Sequence, residues 1–357
     1  MSERLLVSTR KGLFVFRKDG DSWSMQPPHF LGDAVTVAYA EPGTPVVFAA
    51  LKLGHFGVKL RRTTDNGKTW VEAGVPAYPP KPESENDTHP WSVQQIWSLE
   101  GGHGALWAGT IPGGLFRSPD GGDTWQLVES LWNLPERREW MGGGYDQPGI
   151  HSVCLDPGNA RRLVLGVSTG GAWQTNDAGA SWQLCAKGMR AAYMPPSKQF
   201  EENAQDIHRL VQCRAAPQVF WAQHHNGIFR STDNAKSWRE IRAHPSSFGF
   251  AVAAAPNDPD TAWFVPAMKD EQRVPVDGKL VVTRTRDGGQ TFESFNAGLP
   301  SPPAYDLVYR HGLDVDAAGE WLAMGSTTGG LWVSQTQGES WQCLSTHLPP
   351  IYAVRFG

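Results

Sequence analysis

The sequence predicts an all-β protein: a seven-bladed β-propeller with four antiparallel strands per blade, residues 1–357 forming one domain. Three observations predict it. An eight-residue phrase, Ser/Thr-x-Asp-x-Gly-x-Thr/Ser-Trp, recurs along the chain. Its copies are spaced by roughly the length of one four-stranded blade. The two chain ends hold complementary parts of a single blade, so the ring closes where the C-terminal strand pairs with the N-terminal strands.

The phrase stands complete at 63–70, 118–125 and 175–182. Three later copies each depart at one place: 231–238 has Ala235 for the glycine, 285–292 ends in Phe292, and 334–341 has Thr336 for the aspartate. A shortened copy runs through Asp19, Gly20, Asp21, Ser22 and Trp23. The anchor positions 19, 65, 120, 177, 233, 287 and 336 lie 46 to 57 residues apart. Within the phrase the aspartate accepts hydrogen bonds from its own turn. The glycine takes a backbone conformation that a Cβ would penalise, and the tryptophan packs a large apolar face between blades. These aspartates therefore read as turn staples rather than catalytic groups.

The strands fall into order around each phrase. A short strand precedes it, as at 114–117 and 227–230. Before that lies a β run ending in a small-residue turn, as at 106–110 and 163–167, and earlier still an alternating strand, as at 35–39 and 151–155. Each repeat thus reads A, B, C, phrase, D. The N-terminus supplies B, C and D at about 4–9, 12–17 and 22–25, and the C-terminus supplies a lone A strand at 352–356.

Composition narrows the function. Lys plus Arg number 32 against 36 Asp plus Glu, a formal net charge of −4, so no basic surface for nucleic acid is indicated. No apolar run reaches the length of a membrane span. The N-terminus lacks the plan of a signal peptide, and the four cysteines form no close-spaced pair. The expectation is a cytoplasmic protein with reduced thiols.

In this strand order the D-to-A and B-to-C connections share one face, at the mouth of the central channel, and the phrases lie on the other. The mouth-side loops are the long ones: 74–90, 129–150 and 186–206 between D and A, and 266–279 between B and C. Loop 129–150 carries Trp132, Glu136, Arg137, Arg138, Glu139, Trp140, Tyr145 and Asp146; loop 186–206 carries Arg190, Tyr193, Glu201, Glu202 and Asp206. Aligning the A strands by their apolar alternation makes Val35, Trp91, His151, His208, Phe250, Asp306 and Tyr352 equivalent, ringing the mouth. His55, His89, His224 and His225 lie nearby. The ordinary reading of such residues is that they cover apolar blade ends and bond across the channel. The functional reading is that His151 and His208 share a pocket with Asp306 and serve as acid and base. A metal on His151 and His208 is the less favoured alternative, because no zinc-ligand spacing demands it, and no cofactor is expected.

The phrases, with the lead-in Gly170-Gly171-Ala172-Trp173-Gln174-Thr175, resemble the BNR or Asp-box repeats of sialidase-like proteins. The run 151–159 is similar to strand A in the propellers of xyloglucanases, photosystem assembly factors and sortilin-type receptors. The resemblance covers nearly the whole chain and implies the propeller fold; its members include both enzymes and binding proteins. The Arg-Ile-Pro signature of sialidases is missing, since 7–12 reads Val-Ser-Thr-Arg-Lys-Gly. Xyloglucanases set two propellers across a cleft, and this chain holds one.

Two readings follow. In the first, the mouth is the active site of a hydrolase on a glycoside or small polar substrate. His151, His208, Asp306, Glu139 and Asp146 provide acid and base, and Trp91, Trp132, Trp140, Tyr145, Arg190, Tyr193, His224, His225 and Tyr352 hold the substrate. In the second, the same mouth binds a small molecule, glycan or protein partner without chemistry. A His–carboxylate pair or two carboxylates converging in the mouth would favour the first.

Overall fold

The computed structural model describes residues 4–20, 22–143 and 145–357. Seven sheets of four antiparallel strands form the ring. Counting from Ala34–Ala40, the A strands are that segment, Gln95–Gly102, Ile150–Leu155, Ile207–Gln212, Gly249–Ala254, Leu313–Val315 and Ile351–Phe356. The last pairs with Arg4–Thr9, which continues into Gly12–Asp19 and Ser22–Met25. The closing blade is therefore assembled from both chain ends, as the sequence predicts. Asp21, in the shortened phrase, lies outside the described residues.

The B strands are buried almost throughout and the A strands over most of their length, mainly by apolar side chains, because each sheet is covered on both faces by its neighbours. The outer D strands are short and largely exposed. Side chains stitch adjacent A strands together: Thr36 Oγ1 donates to the Ile96 carbonyl at 2.8 Å, Ser98 Oγ to the Ile150 carbonyl at 2.9 Å, and Leu210 N to Ser152 Oγ at 3.0 Å.

The repeated turn closes every internal blade in one geometry. In the first copy Thr63 Oγ1 donates to Asp65 Oδ1 at 2.7 Å and accepts from Gly67 N at 3.0 Å. Asp65 then takes Thr69 N at 2.9 Å and Thr69 Oγ1 at 2.6 Å. Asp120, Asp177, Asp233 and Asp287 repeat the pattern. In the sixth copy Thr336 Oγ1 replaces the carboxylate and accepts from Ser340 N at 2.8 Å. The glycine site has φ +87° at Gly67, and Ala235, its replacement in the fourth blade, is forced to φ 61°. The phrase tryptophan packs on the preceding blade: Trp238 joins Cys154, Val164 and Phe220, and its Nε1 donates to the Cys185 carbonyl at 2.7 Å.

No described helix is long and apolar enough to cross a membrane. The four cysteines are free thiols, three buried and Cys343 exposed.

Candidate functional site

Most A strands begin with a β-bulge. The register slips by one residue between Val35 and Val37, Ile96 and Ser98, Ile150 and Ser152, Ile207 and Arg209, Gly249 and Val252, and opposite Ser8 and Thr9. A bulge leaves one residue outside the ladder and re-aims its side chain. Those residues are Thr36, Trp97, His151, His208, Phe250 and Tyr352. In the sixth blade the irregularity is longer: Thr327 N bonds to Leu307 O and Gly325 N to Gly312 O, which presents Tyr309, Arg310 and His311.

The ring therefore corrects the sequence alignment in three blades. Thr36, not Val35, is the ring residue of the first. Trp97 takes the place assigned to Trp91, and the Arg310–His311 pair the place assigned to Asp306. Apolar alternation could not locate these positions, because a bulge resets the alternation that such an alignment counts.

His208 anchors the densest chemistry. Its ring stacks on Phe250 with centroids 4.4 Å apart, and Nδ1 lies 2.7 Å from the Gly249 carbonyl. Nε2 faces Asp206 Oδ2 at 3.6 Å, and the same oxygen lies 3.4 Å from His225 Nδ1. His225 stands in the B-to-C turn of the same blade, held by its backbone N–H on the Asp206 carbonyl at 2.9 Å. Asp206 and His208 are buried, His225 partly open. Phe248 and Tyr193 wall the cluster. Arg310 lies over the rings of Trp97 and Phe250 at 5.0 and 5.7 Å and donates to the Gly143 carbonyl at 3.0 Å.

Burial works against the charge on Asp206, but His208, His225 and Arg310 outweigh it and hold the carboxyl well below its usual range. The hydrogen bond to Asp206 raises His225 against the effect of burial. Burial lowers His208 despite Asp206, and brings His224 down to about 3. The site thus sets an ionised, buried carboxylate against two imidazoles, one reaching the surface. Such a cluster can move a proton, orient a water, or grip a cation.

The other candidates fall in different places. His151 lies on the ring but in a neighbouring cluster: Nδ1 meets Ser152 Oγ at 2.9 Å, the ring sits edge-on to Trp97 at 5.4 Å, and its carbonyl accepts from His311 Nε2 at 2.8 Å and Arg209 at 3.2 Å across the channel. Asp306 is bonded to Ser326 Oγ at 2.7 Å and to Thr328, off the ring. Glu139 and Asp146 are exposed, Glu139 accepting from Asn203 at 3.2 Å. Trp140 is buried against Trp173, with Nε1 on Asn203 at 2.9 Å, and so packs the loop instead of facing the mouth. Trp91 and Trp132 also brace a loop: Trp91 Nε1 bonds to Asp87 at 3.0 Å, and Arg137 lies 3.8 Å over Trp132 while pairing with Asp87. Arg190 pairs with Glu240 at 3.4 Å. His224 is buried against Phe229. Tyr145 is exposed, edge-on to Trp97 at 5.0 Å, and Tyr193 is exposed with its ring 4.9 Å from His225. Tyr352 is a half-buried ring residue.

Sequence reasoning missed Asp206 as a site residue, and Trp97, Arg310 and His311 altogether. No periodicity signalled the pairing of Asp206 with His208, because His208 sits in a bulge that breaks the two-residue alternation of its strand.

On the opposite face the A-to-B turns surround a cavity of about 1160 Å³ containing Arg4, Arg209, Arg355, Glu100 and Asp314. There Arg355 makes a bidentate pair with Glu100 at 2.6 and 2.6 Å. In the mouth cluster Asp206 Oδ1 is buried without a hydrogen-bond partner among the described residues.

No protein-family model matches the chain. Among curated proteins it is 24% identical over 281 residues to a probable oligoxyloglucan-reducing end-specific xyloglucanase of Neosartorya fischeri, covering 71% of this chain and 32% of the relative. It is 26% identical over 151 residues to a xyloglucanase of Paenibacillus sp, covering 38% of this chain and 14% of the relative. The curated relatives are xyloglucanases. The chain spans about a third of the first relative's length and less of the second's. Among solved structures, the GH74 enzyme of Niastella koreensis superposes with TM-score 0.61 at 15% identity, covering 94% of this chain and 53% of that one. YCF48 bound to D1 peptide superposes with TM-score 0.57 at 16% identity, covering 93% and 89%. At these identities the structural likeness shows the propeller fold.

Proposed function

We propose that this chain is a glycoside hydrolase-like propeller of the Asp-box type that takes a saccharide or similar polar substrate at the channel mouth, with Asp206, His208 and His225 as its water-activating centre. The observation that carries the reading is the convergence of a buried, ionised carboxylate with two imidazoles beside the exposed ring of Tyr193, with Tyr145 exposed against Trp97 on the same ring. A carbohydrate site needs this combination of a chemical centre and aromatic faces. Likeness to xyloglucanases supports the substrate class.

The test is release of reducing ends from xyloglucan oligosaccharides and chromogenic glycosides by purified protein, with Asp206→Asn as the comparison. The reading predicts release that Asp206→Asn reduces at least about a hundredfold while the fold is kept. No release and no calorimetric saccharide binding would sink it.

A second reading has its own support. The YCF48 structure, with its D1 peptide, matches this chain over 89% of its own length, so a lone propeller of this size also serves peptide binding. On that reading the mouth binds a peptide without chemistry, and Asp206→Asn changes affinity but no turnover exists to lose.

A further inference from the structure

The geometry points to a divalent transition-metal site at the mouth, formed by Asp206 Oδ2, His208 Nε2 and His225 Nδ1 with at least one position open to substrate or water. It deepens the hydrolase reading and rests on it for the role of the open position, though not for the existence of the site.

The first argument is the tautomer of His208. Nδ1 lies 2.7 Å from the Gly249 carbonyl, which only accepts, so Nδ1 carries a proton. In the neutral ring Nε2 is then a bare lone pair, and it faces a carboxylate oxygen at 3.6 Å. Two acceptors turned toward each other in a buried place repel unless a proton or a metal ion lies between them, and at 3.6 Å the separation is wider than a direct hydrogen bond and suits an intervening ion. An imidazole whose far N–H is fixed on a carbonyl is also the usual posture of a metal-bound histidine, because that hydrogen bond orients the ring and raises its basicity.

The second argument is spacing. The shared Asp206 oxygen lies 3.6 Å from one nitrogen and 3.4 Å from the other, and each of the three residues offers a ligand atom within 4.8 Å of the others'. Ligands held at ~2.0–2.2 Å from one ion at near-tetrahedral angles stand ~3.3–3.6 Å apart. Asp206, His208 and His225 are the only such group among the described residues. The third argument is Asp206 Oδ1, which is buried and has no hydrogen-bond partner among the described residues. A second carboxylate oxygen beside an ion, able to turn bidentate, accounts for it.

Two histidines and one carboxylate with an open side suit zinc, or iron(II) and cobalt(II) in the same geometry, and not calcium or magnesium, which favour all-oxygen sets. Arg310 adds positive charge near Asp206 and so moderates the affinity. The open side is toward His225, the only one of the three ligands partly exposed. There an ion would lower the pKa of a bound water, giving the hydrolase reading its nucleophile.

The test uses full-length, tag-free, chelator-stripped protein with Cys343→Ser, so that the exposed thiol adds no ligand. Zn²⁺ is titrated calorimetrically, and Co²⁺ by visible absorption. The expected result is one equivalent bound, a raised melting temperature on binding, a four- or five-coordinate Co²⁺ spectrum, and affinity at least about tenfold weaker in His225→Ala. Equal stoichiometry and affinity in parent and His225→Ala would overturn the proposal. So would no binding of Zn²⁺, Co²⁺, Ni²⁺ or Mn²⁺, which would leave a proton on His225 as the cation at the cluster. If His225→Ala fails to fold, the Co²⁺ spectrum of the parent decides alone: a six-coordinate spectrum or none counts against the site. Metal bound with no saccharide turnover ends the hydrolase reading and leaves the site. Turnover indifferent to chelation, with no stoichiometric metal, ends the site and leaves the reading.

Discussion

Replacing Phe356 by alanine tests whether the C-terminal strand closes the ring. Phe356 pairs with Leu5 across the junction of the two chain ends. Its ring is buried among Leu5, Val7, Phe14, Phe16 and Trp321, with Trp23 at 6.1 Å, and so spans the closing blade and its neighbour. Truncating a buried phenylalanine costs ~3–5 kcal/mol through lost transfer energy and the cavity left behind. Unfolding entropy of ~2.1 cal/mol/K per residue over the chain gives about 0.75 kcal/mol/K at the midpoint, so the melting temperature should fall by ~4–7 °C. Val71→Ala is the control: Val71 lies on an outer strand and is 53% exposed, and its truncation should move the midpoint by less than ~1 °C. Calorimetry of the two variants beside the parent reads the difference. A Phe356→Ala midpoint within a degree of the parent would refute closure by this strand. Deleting 351–357 should go further, baring the edge of Arg4–Thr9 and producing concentration-dependent association in gel filtration.

Arg137→Ala should cost ~3–5 kcal/mol in urea unfolding, because it strands the buried Asp87 carboxylate without its partner. Trp140→Ala should cost a similar ~3–5 kcal/mol while leaving saccharide affinity at the mouth within about twofold, since Trp140 packs under its loop; a larger affinity loss at unchanged stability would return it to the ligand surface. The turn carboxylates Asp65, Asp120, Asp177 and Asp287 are brought down to about 2 by their hydrogen bonds to Thr or Ser. Depressed acids stabilise the fold above the unfolded value near 4, and that stability is lost as pH falls from about 4 through 2; Asp177→Asn should flatten the melting-temperature slope in that window. Asp314 runs the other way, pushed up to about 6 by burial against the pull of Arg355 and the Phe356 amide. The folded state holds its proton more tightly than the unfolded state, so stability falls as pH rises from about 4 through 6. Urea midpoints at pH 4.5 and 7.5 should differ less in Asp314→Asn than in the parent.

What the sequence by itself determined was everything with a local or periodic cause. The phrase around Asp65, Asp120 and Asp177 is a turn whose hydrogen bonds lie within a few residues, so its recurrence could be read directly and the blades counted. The lone strand at the C-terminus and the missing A strand at the N-terminus fixed the closing blade by the same count. Tertiary structure decided the mouth. One extra residue in a bulge moves a side chain from core to channel, and no periodicity records it, so Trp97 and Arg310 were hidden behind Trp91 and Asp306. His208 was placed on the ring correctly, but its partners were not: sequence equivalence set it beside His151, whereas the folded chain sets it beside Asp206 and His225, from its own blade's loop and turn. Which residues of a ring touch depends on how loops of very different lengths descend into a shared channel, and that is settled only when all seven blades are in place.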